Sequence, residues 1–202
     1  MKPELILIGG GGHCKSCIDV IEEEDKFKIA GIVDLPEKKG QKVLGYEIIA
    51  SDNEILILRK KFSHFLVTMG QVKSASLRIS KFNTLEPAAF PIIVSPNAYI
   101  SKHAQVGAGT IIMHYAIVNA GAKVGNNCIL NTKSLIEHNT VIGDHCHIST
   151  SAIANGGVQI GAGTFLGSNA VAKEYVTIGD NCVIGAGVSI MQNIESGSLY
   201  VG

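Results

Sequence analysis

Three histidines, His138, His145 and His147, fall within ten positions of "IEHNTVIGDHCHIS" (136–149). Imidazole changes charge near neutrality, so such a cluster can supply a general base, hold a metal or position a ligand. A second constellation lies far upstream. "GGGGHC", Gly9 to Cys14, follows an apolar run and opens a helical stretch. Free amides at a helix N-terminus favour a phosphate there. Asp34, ending the next apolar run, is placed to accept hydrogen bonds from ribose hydroxyls. Together these suggest a nucleotide or nucleotide-sugar site. The competing reading is a tight turn with no ligand, since Cys14 stands where GxGxxG would have its third glycine.

Two kinds of element must position these residues. From Val94 onward every sixth residue is aliphatic with few exceptions: Val94, Ile100, Val106, Ile112, Val118, Val124, Leu130, Ile136, Ile142, Ile148, and on to Ile190. Four places after each comes a small residue, among them Ala98, Ala116, Ala122, Cys128, Ser134, Thr140, Cys146 and Ala152. A period of six matches neither a helix nor simple strand alternation, and fixed-period repetition signals a solenoid. Each hexapeptide reads as a short extended segment plus a corner, with the aliphatic and the small residue facing a narrow core. Glycine at the second place, as in "IGDH" and "IGAG", would supply unusual backbone angles. Cys128, Cys146 and Cys182 then become core spacers, with no disulfide required.

Residues 1–88 follow another pattern. "ELILIGG" reads as a buried strand, "CKSCIDVIEEE" as a helix and "KIAGIVD" as a second strand ending at Asp34. "HFLVTMG" is a third strand ending at Gly70, and "VKSASLRISKF" a following helix. This alternation predicts a small Rossmann-like parallel α/β domain, followed by the solenoid over 89–202. Cys14 and Cys17 admit a redox reading, but no second CxxC accompanies them, and a helix after a glycine loop is the plainer account.

Charge narrows the partners. Seventeen Lys and Arg balance seventeen Asp and Glu, with no long run of either sign. Nucleic acid and anionic membranes therefore have little electrostatic support. The apolar run near Met1 is too short for a signal peptide or membrane span, so a cytoplasmic protein is expected.

An α/β domain with "GGGGH", then "NTKSLIEHNTVIGDHCHIS" inside a hexapeptide array, resembles the bacterial NeuD/PglD family of sugar acetyltransferases over nearly the whole chain. The resemblance implies a left-handed parallel β-helix of three hexapeptides per coil, and a homotrimer with active sites between subunits. It implies acetyl-CoA as cosubstrate, and a nucleotide-linked amino sugar held by the N-terminal domain. His138 falls on the general base, with Asn139 where the family usually has an acidic partner. His147, Gly156 and Ser168 fall on acetyl-CoA contacts. Gly12, His13, Cys14, Asp34, Gly70 and Asn131 fall on sugar-nucleotide contacts, although the usual acidic pair is here Asp34-Leu35.

In the hexapeptide register His138 and His145 occupy corners and His147 faces outward, so none belongs to the core; His145 reads as a plain surface residue. If a coil has eighteen residues, His138 and His147 lie on different sides of one prism, and a neighbouring subunit must bring them to one site. A zinc enzyme like the γ-class carbonic anhydrases would need His-x4-His spacing, but Gly143 stands five places after His138 and His114 lies only 24 residues upstream. No metal is therefore expected. The resulting expectation is N-acetylation of a UDP- or GDP-linked amino-deoxy sugar for a bacterial surface glycan or glycoprotein. Sialic-acid-type O-acetylation is the alternative; a non-catalytic scaffold would leave the glycine loop unexplained.

Overall fold

The computed structural model describes residues 1–85 and 90–201. The expected boundary between residues 88 and 89 lies outside the described residues. In the N-terminal part, β1 (Glu4–Ile8), α1 (Gly12–Glu24), β2 (Lys28–Asp34), β3 (Lys42–Val43), β4 (Tyr46–Ser51), α2 (Ile55–Leu58), β5 (His64–Val67) and α3 (Ser76–Thr84) follow in order. The sheet order is β3-β4-β2-β1-β5, parallel except for the β3–β4 pair. The fully buried run Leu5 to Ile8 explains why β1 sits inside the sheet, between β2 and β5, where both faces are covered. The hairpin β3–β4 was not anticipated; its turn places Leu44 and Gly45 at positive φ, 46° and 90°.

From Ile93 to Ile190 the chain forms two-residue strands at six-residue intervals, paired in parallel with strands eighteen residues on, such as Ile129 with His147 and His147 with Phe165. A last strand, Leu199–Tyr200, pairs with Val183–Ile184 sixteen residues back. These stack into three sheets, the faces of a prism. One face carries Ile111–Ile112, Ile129–Leu130, His147–Ile148 and Phe165–Leu166; a second carries Tyr99–Ile100, Ile117–Val118, Leu135–Ile136 and Val171–Ala172; a third carries Lys123–Val124, Val141–Ile142 and Gln159–Ile160. The predicted aliphatic and small residues fill the interior, with Cys128, Cys146 and Cys182 all buried and free.

The glycine expectation is corrected. Left-handed angles recur at the fourth place of the hexapeptide, at Gly109, Tyr115, Gly121, Asn127, Lys133, Asn139, His145, Ser151 and Gly157. The second-place glycines serve close packing instead. A Cβ on Gly107 would stand 2.5 Å from the Gly125 backbone, and one on Gly143 would stand 2.7 Å from the Ala162 nitrogen.

The two parts share one core. Cys14, Cys17, Ile18 and Ile21 of α1 pack with Ile93, Ile111, Met113 and Ile129, the outward residues of the first face. That face is thus covered by the α/β domain, and apolar outward residues there are buried for the same reason that drives any core.

Candidate active site

His138 sits on the corner between the second and third faces, exposed, directly before Asn139 at φ 59°. Asparagine tolerates this left-handed angle better than most residues, so the turn alone accounts for its presence. Its Nδ2 lies 3.4 Å from His138 Nδ1. Glu137 does not reach the ring; its carboxylate accepts the His138 backbone N–H at 3.1 Å. One coil on, Gly156 lies under the imidazole. A Cβ there would be 2.6 Å from both Cε1 and Nε2 of His138, so only glycine lets the ring rest where it does. Gly157 N–H holds the His138 carbonyl at 3.0 Å, whereas the Gly156 N–H has no partner among the described residues. A free amide beside an imidazole can receive negative charge while the imidazole takes a proton.

The glycine loop is the second part of the site. Gly9 turns at φ 104°, and Gly11 caps α1 without a side-chain bond, with no acidic residue in the first turn. Gly12 is exposed there, and a Cβ would meet nothing within 4 Å. This leaves an uncapped, unneutralised helix N-terminus, the arrangement that attracts phosphate. Gly10 N–H donates to Asp34 Oδ2 at 2.9 Å, and Leu35 N–H and Lys38 Nζ also donate to that carboxylate. Burial pushes the Asp34 carboxyl up, but the Leu35, Gly10 and Lys38 bonds outweigh it and the net shift is down. Cys14 is corrected as a contact residue. Its side chain is fully buried, with burial raising the thiol to about 11, and its N–H is taken by the Gly11 carbonyl. Cys17 is buried as well, and its thiol is pushed well up, which leaves the redox reading without a thiolate.

His147 is the main surprise. It faces outward from the prism, as expected, yet is only 7% exposed because the α/β domain covers that face. Its Nδ1 meets the Gln71 carbonyl at 2.7 Å and its Nε2 meets Asn131 Nδ2 at 3.2 Å. The His13 ring stands 6.2 Å away and the Phe165 ring 5.2 Å away. Gly70 packs on His13, where an added Cβ would touch the His13 Cβ at 3.4 Å. His13, Gly70, Asn131 and His147 therefore form one junction between the domains. Burial, then the charge of His147 and of Arg78, hold His13 down to about 3; burial, with Arg78 adding to it against the Gln71 bond, holds His147 down to about 4. His145 is no plain surface residue either: half-buried, it meets Asn127 at 2.9 Å and the Phe82 ring edge at 5.6 Å.

Ser168 bonds Ser149 Oγ at 3.0 Å and lines an apolar cavity of about 600 Å³ with Val72, Phe165, Val183 and Leu199, and with Lys73 at its wall. Phe165 links this cavity to His147. A larger cavity, about 940 Å³, lies at the opposite, N-terminal end of β1 around Phe27 and Tyr46, and none of the site residues lines it. Ligands of open α/β sheets bind at the carboxyl ends of strands, so the smaller cavity is the relevant one. No cluster among the described residues could hold a metal ion, and no described helix is long and apolar enough to cross a membrane. Gln71, Arg78, Lys38 and Phe165 were missed; a glutamine after a glycine and an arginine in an amphipathic helix carry no motif.

Fold and site together define a hexapeptide-repeat acyltransferase that carries its own Rossmann-like domain. Residues 4–85 match the family model of the PglD N-terminal domain, and residues 157–192 that of the hexapeptide repeat of succinyl-transferase. A histidine-to-asparagine variant of perosamine N-acetyltransferase from Caulobacter crescentus, in complex with CoA and GDP-perosamine, superposes with a TM-score of 0.90. It is 26% identical, over 98% of this chain and 93% of its own. The acetyltransferase domain of PglB from Neisseria gonorrhoeae FA1090, in complex with acetyl coenzyme A, gives 0.87 at 25% identity over 98% and 95%. WeeI from Acinetobacter baumannii AYE shares the fold, with 0.82 at 21% identity over 100% and 97%. Comparison with curated protein sequences gave no match. The α/β part is a PglD N-terminal domain, the solenoid is a left-handed parallel β-helix of hexapeptide repeats, and the whole chain has the architecture of these sugar acetyltransferases.

Proposed function

We propose that the protein transfers the acetyl group of acetyl-CoA to an amino group on a nucleotide-linked amino-deoxy sugar, acting as a homotrimer. The observation that carries this reading is the seat of the His138 ring on Gly156, with a free amide beside it. His138 takes a proton from the attacking amine as nitrogen bonds to the thioester carbon. The Gly156 N–H receives the developing oxyanion, and the intermediate then expels the CoA thiolate. With the Asn139 amide turned so that Oδ1 accepts from Nδ1–H, Nε2 is left free as the base. The uncapped start of α1 takes the phosphates and Asp34 the ribose, while Gly12, His13, Gly70 and Asn131 line the path toward the sugar. Ser168 lines the cavity that would take the pantetheine arm, and His147 lies behind the Phe165 ring at its wall.

Support for the trimer comes from the second face. Its outward residues form an apolar ladder, Tyr99, Ile117, Leu135, Ile153 and Val171, with Tyr99 58% and Ile117 37% exposed in the single chain. The third face shows Gln105, Lys123, Val141, Gln159 and Thr177 instead. His138 edges the ladder on one side and Ser168 on the other, so a copy docked there would bring one chain's base to its neighbour's cofactor groove. The solved relatives' GDP-perosamine and CoA fit this substrate class. A thiol-release assay against UDP-, GDP- and CMP-linked amino sugars and free sialic acid tests it. Turnover with one nucleotide amino sugar and a product heavier by one acetyl group is expected; turnover with sialic acid alone would overturn the N-acetyl assignment.

A further inference from the structure

Arg78 of α3 is 2% exposed, and no carboxylate is among its hydrogen-bond partners. Its guanidinium donates to the Asn127 carbonyl, to Asn127 Oδ1 at 3.2 Å and to Gln71 Oε1 at 3.2 Å, and its Nε has no partner among the described residues. Burying a cation in this way is costly, and an aliphatic side chain would fill the same space. Gln71 shows what the charge does. Its carboxamide is gripped at both ends, at Oε1 by Arg78 and at Nε2 by donation to the Gly163 carbonyl at 2.9 Å. With that side chain held, the Gln71 backbone carbonyl stands 2.7 Å from His147 Nδ1. A carbonyl only accepts, so Nδ1 carries the proton and Nε2 keeps its lone pair. Asn131 Nδ2 donates to that lone pair at 3.2 Å, so two neighbours demand the same tautomer.

We propose that Arg78 and Gln71 are positioning residues that lock His147 as the Nδ1–H tautomer, an obligate acceptor at Nε2. Docking of the α/β domain thereby sets the polarity of a site on the β-helix. The consequence for ligands rests on the acyl-transfer reading above. A ligand N–H or O–H group, such as an amide of the pantetheine arm, would take this lone pair by replacing the Asn131 Nδ2 donor, whereas a carbonyl or phosphate oxygen finds no donor there. The charges around the ring agree. His13 on α1 and Arg78 on α3 are the titratable groups that face His147, and its neighbours Asn131 and Phe165 are uncharged. Burial, then Arg78, oppose a second proton against the pull of the Gln71 carbonyl.

Histidine-selective nitrogen-15 labelling of the full chain, read by long-range proton–nitrogen correlation and assigned with His147→Gln, tests this. Wild type should show a protonated Nδ1 and a pyridine-like Nε2, unchanged from about pH 8 to about pH 5.5. Gln71→Ala removes the clamp and should give mixed tautomers, with KM for one cosubstrate raised about ten-fold and kcat changed less. Arg78→Met should also move the ring's titration up toward the ordinary value of about 6.5. Arg78→Lys should restore the neutral ring but not the single tautomer. A wild-type ring with its proton on Nε2, or populations untouched by Gln71→Ala, overturns the proposal. The nitrogen shifts are read on the free protein, so they decide it whether or not acetyl transfer is observed. Gln71→Ala carries the test if Arg78→Met does not fold.

Discussion

His138 and His147 are nine residues apart in one repeating array, the first at a corner and the second on a strand, and the structure gives them opposite surroundings. His138 stands on an open corner, resting on a glycine, with one weakly placed amide for company. His147 is sealed under another domain, with both ring nitrogens engaged. The first can exchange protons with whatever docks beside it; the second is held neutral and oriented. A repeat that presents every sixth residue identically becomes a site only where something else covers one face and leaves another bare.

The largest test of that contrast is His138→Ala, which should lower kcat by about 10²–10⁴-fold. Circular dichroism and sedimentation should be unchanged, because the side chain supports no packing; near-normal thiol release would remove His138 from its role. Gly156→Ala should come next. The added methyl would lie 2.6 Å from the ring and must displace it. Activity should drop about 10²-fold, yet urea stability should move by less than about 1 kcal/mol, since an exposed ring can swing aside. A loss of stability instead of activity would make the glycine structural.

Acid should expose the other half of the comparison. His13 and His147 are held down to about 3 and about 4 in the folded chain. Their unfolded value is about 6.5, so between these limits a proton is bound only on unfolding. Stability is therefore full above about pH 6.5 and is lost as pH falls, by about 1.4 kcal/mol per histidine per pH unit. Urea midpoints at several pH values measure this; a flat profile from these two sites would contradict the sealed junction. The smallest effect should come from Asn139→Asp, which tolerates the same turn and sets an anion beside Nδ1. The acid limb of the rate profile should shift up by about one unit, with kcat/KM rising a few-fold at its plateau. No shift would show that the amide already suffices or that residue 139 does not address the ring.

Legibility followed periodicity. The aliphatic and small positions were readable from Val94 to Ile190 because the same local geometry recurs without interruption. The left-handed corners were misread, since glycine at the second place suggested backbone freedom when its role is close approach to the next coil. The resemblance placed Cys14 among the sugar-nucleotide contacts, but helical geometry turns its side chain to the sheet, where it is fully buried. The junction residues Gln71 and Arg78 could not be read at all. Their partners Gly163, Asn127 and His147 lie 92, 49 and 76 positions away, so no local spacing records them.

The sequence by itself determined the two architectures, the corner placement of His138 and the glycine loop between a strand and a helix. Each depends on neighbours within a hexapeptide, a coil or a single strand–loop–helix unit. Only the tertiary structure decided which face of the prism the α/β domain covers. That choice buried His147 beside His13, fixed the proton on its ring and left the apolar ladder of Tyr99, Ile117 and Leu135 open. The reason is physical: burial and partner identity at the junction arise from packing between domains, where outward residues that look alike in the repeat meet either protein or water.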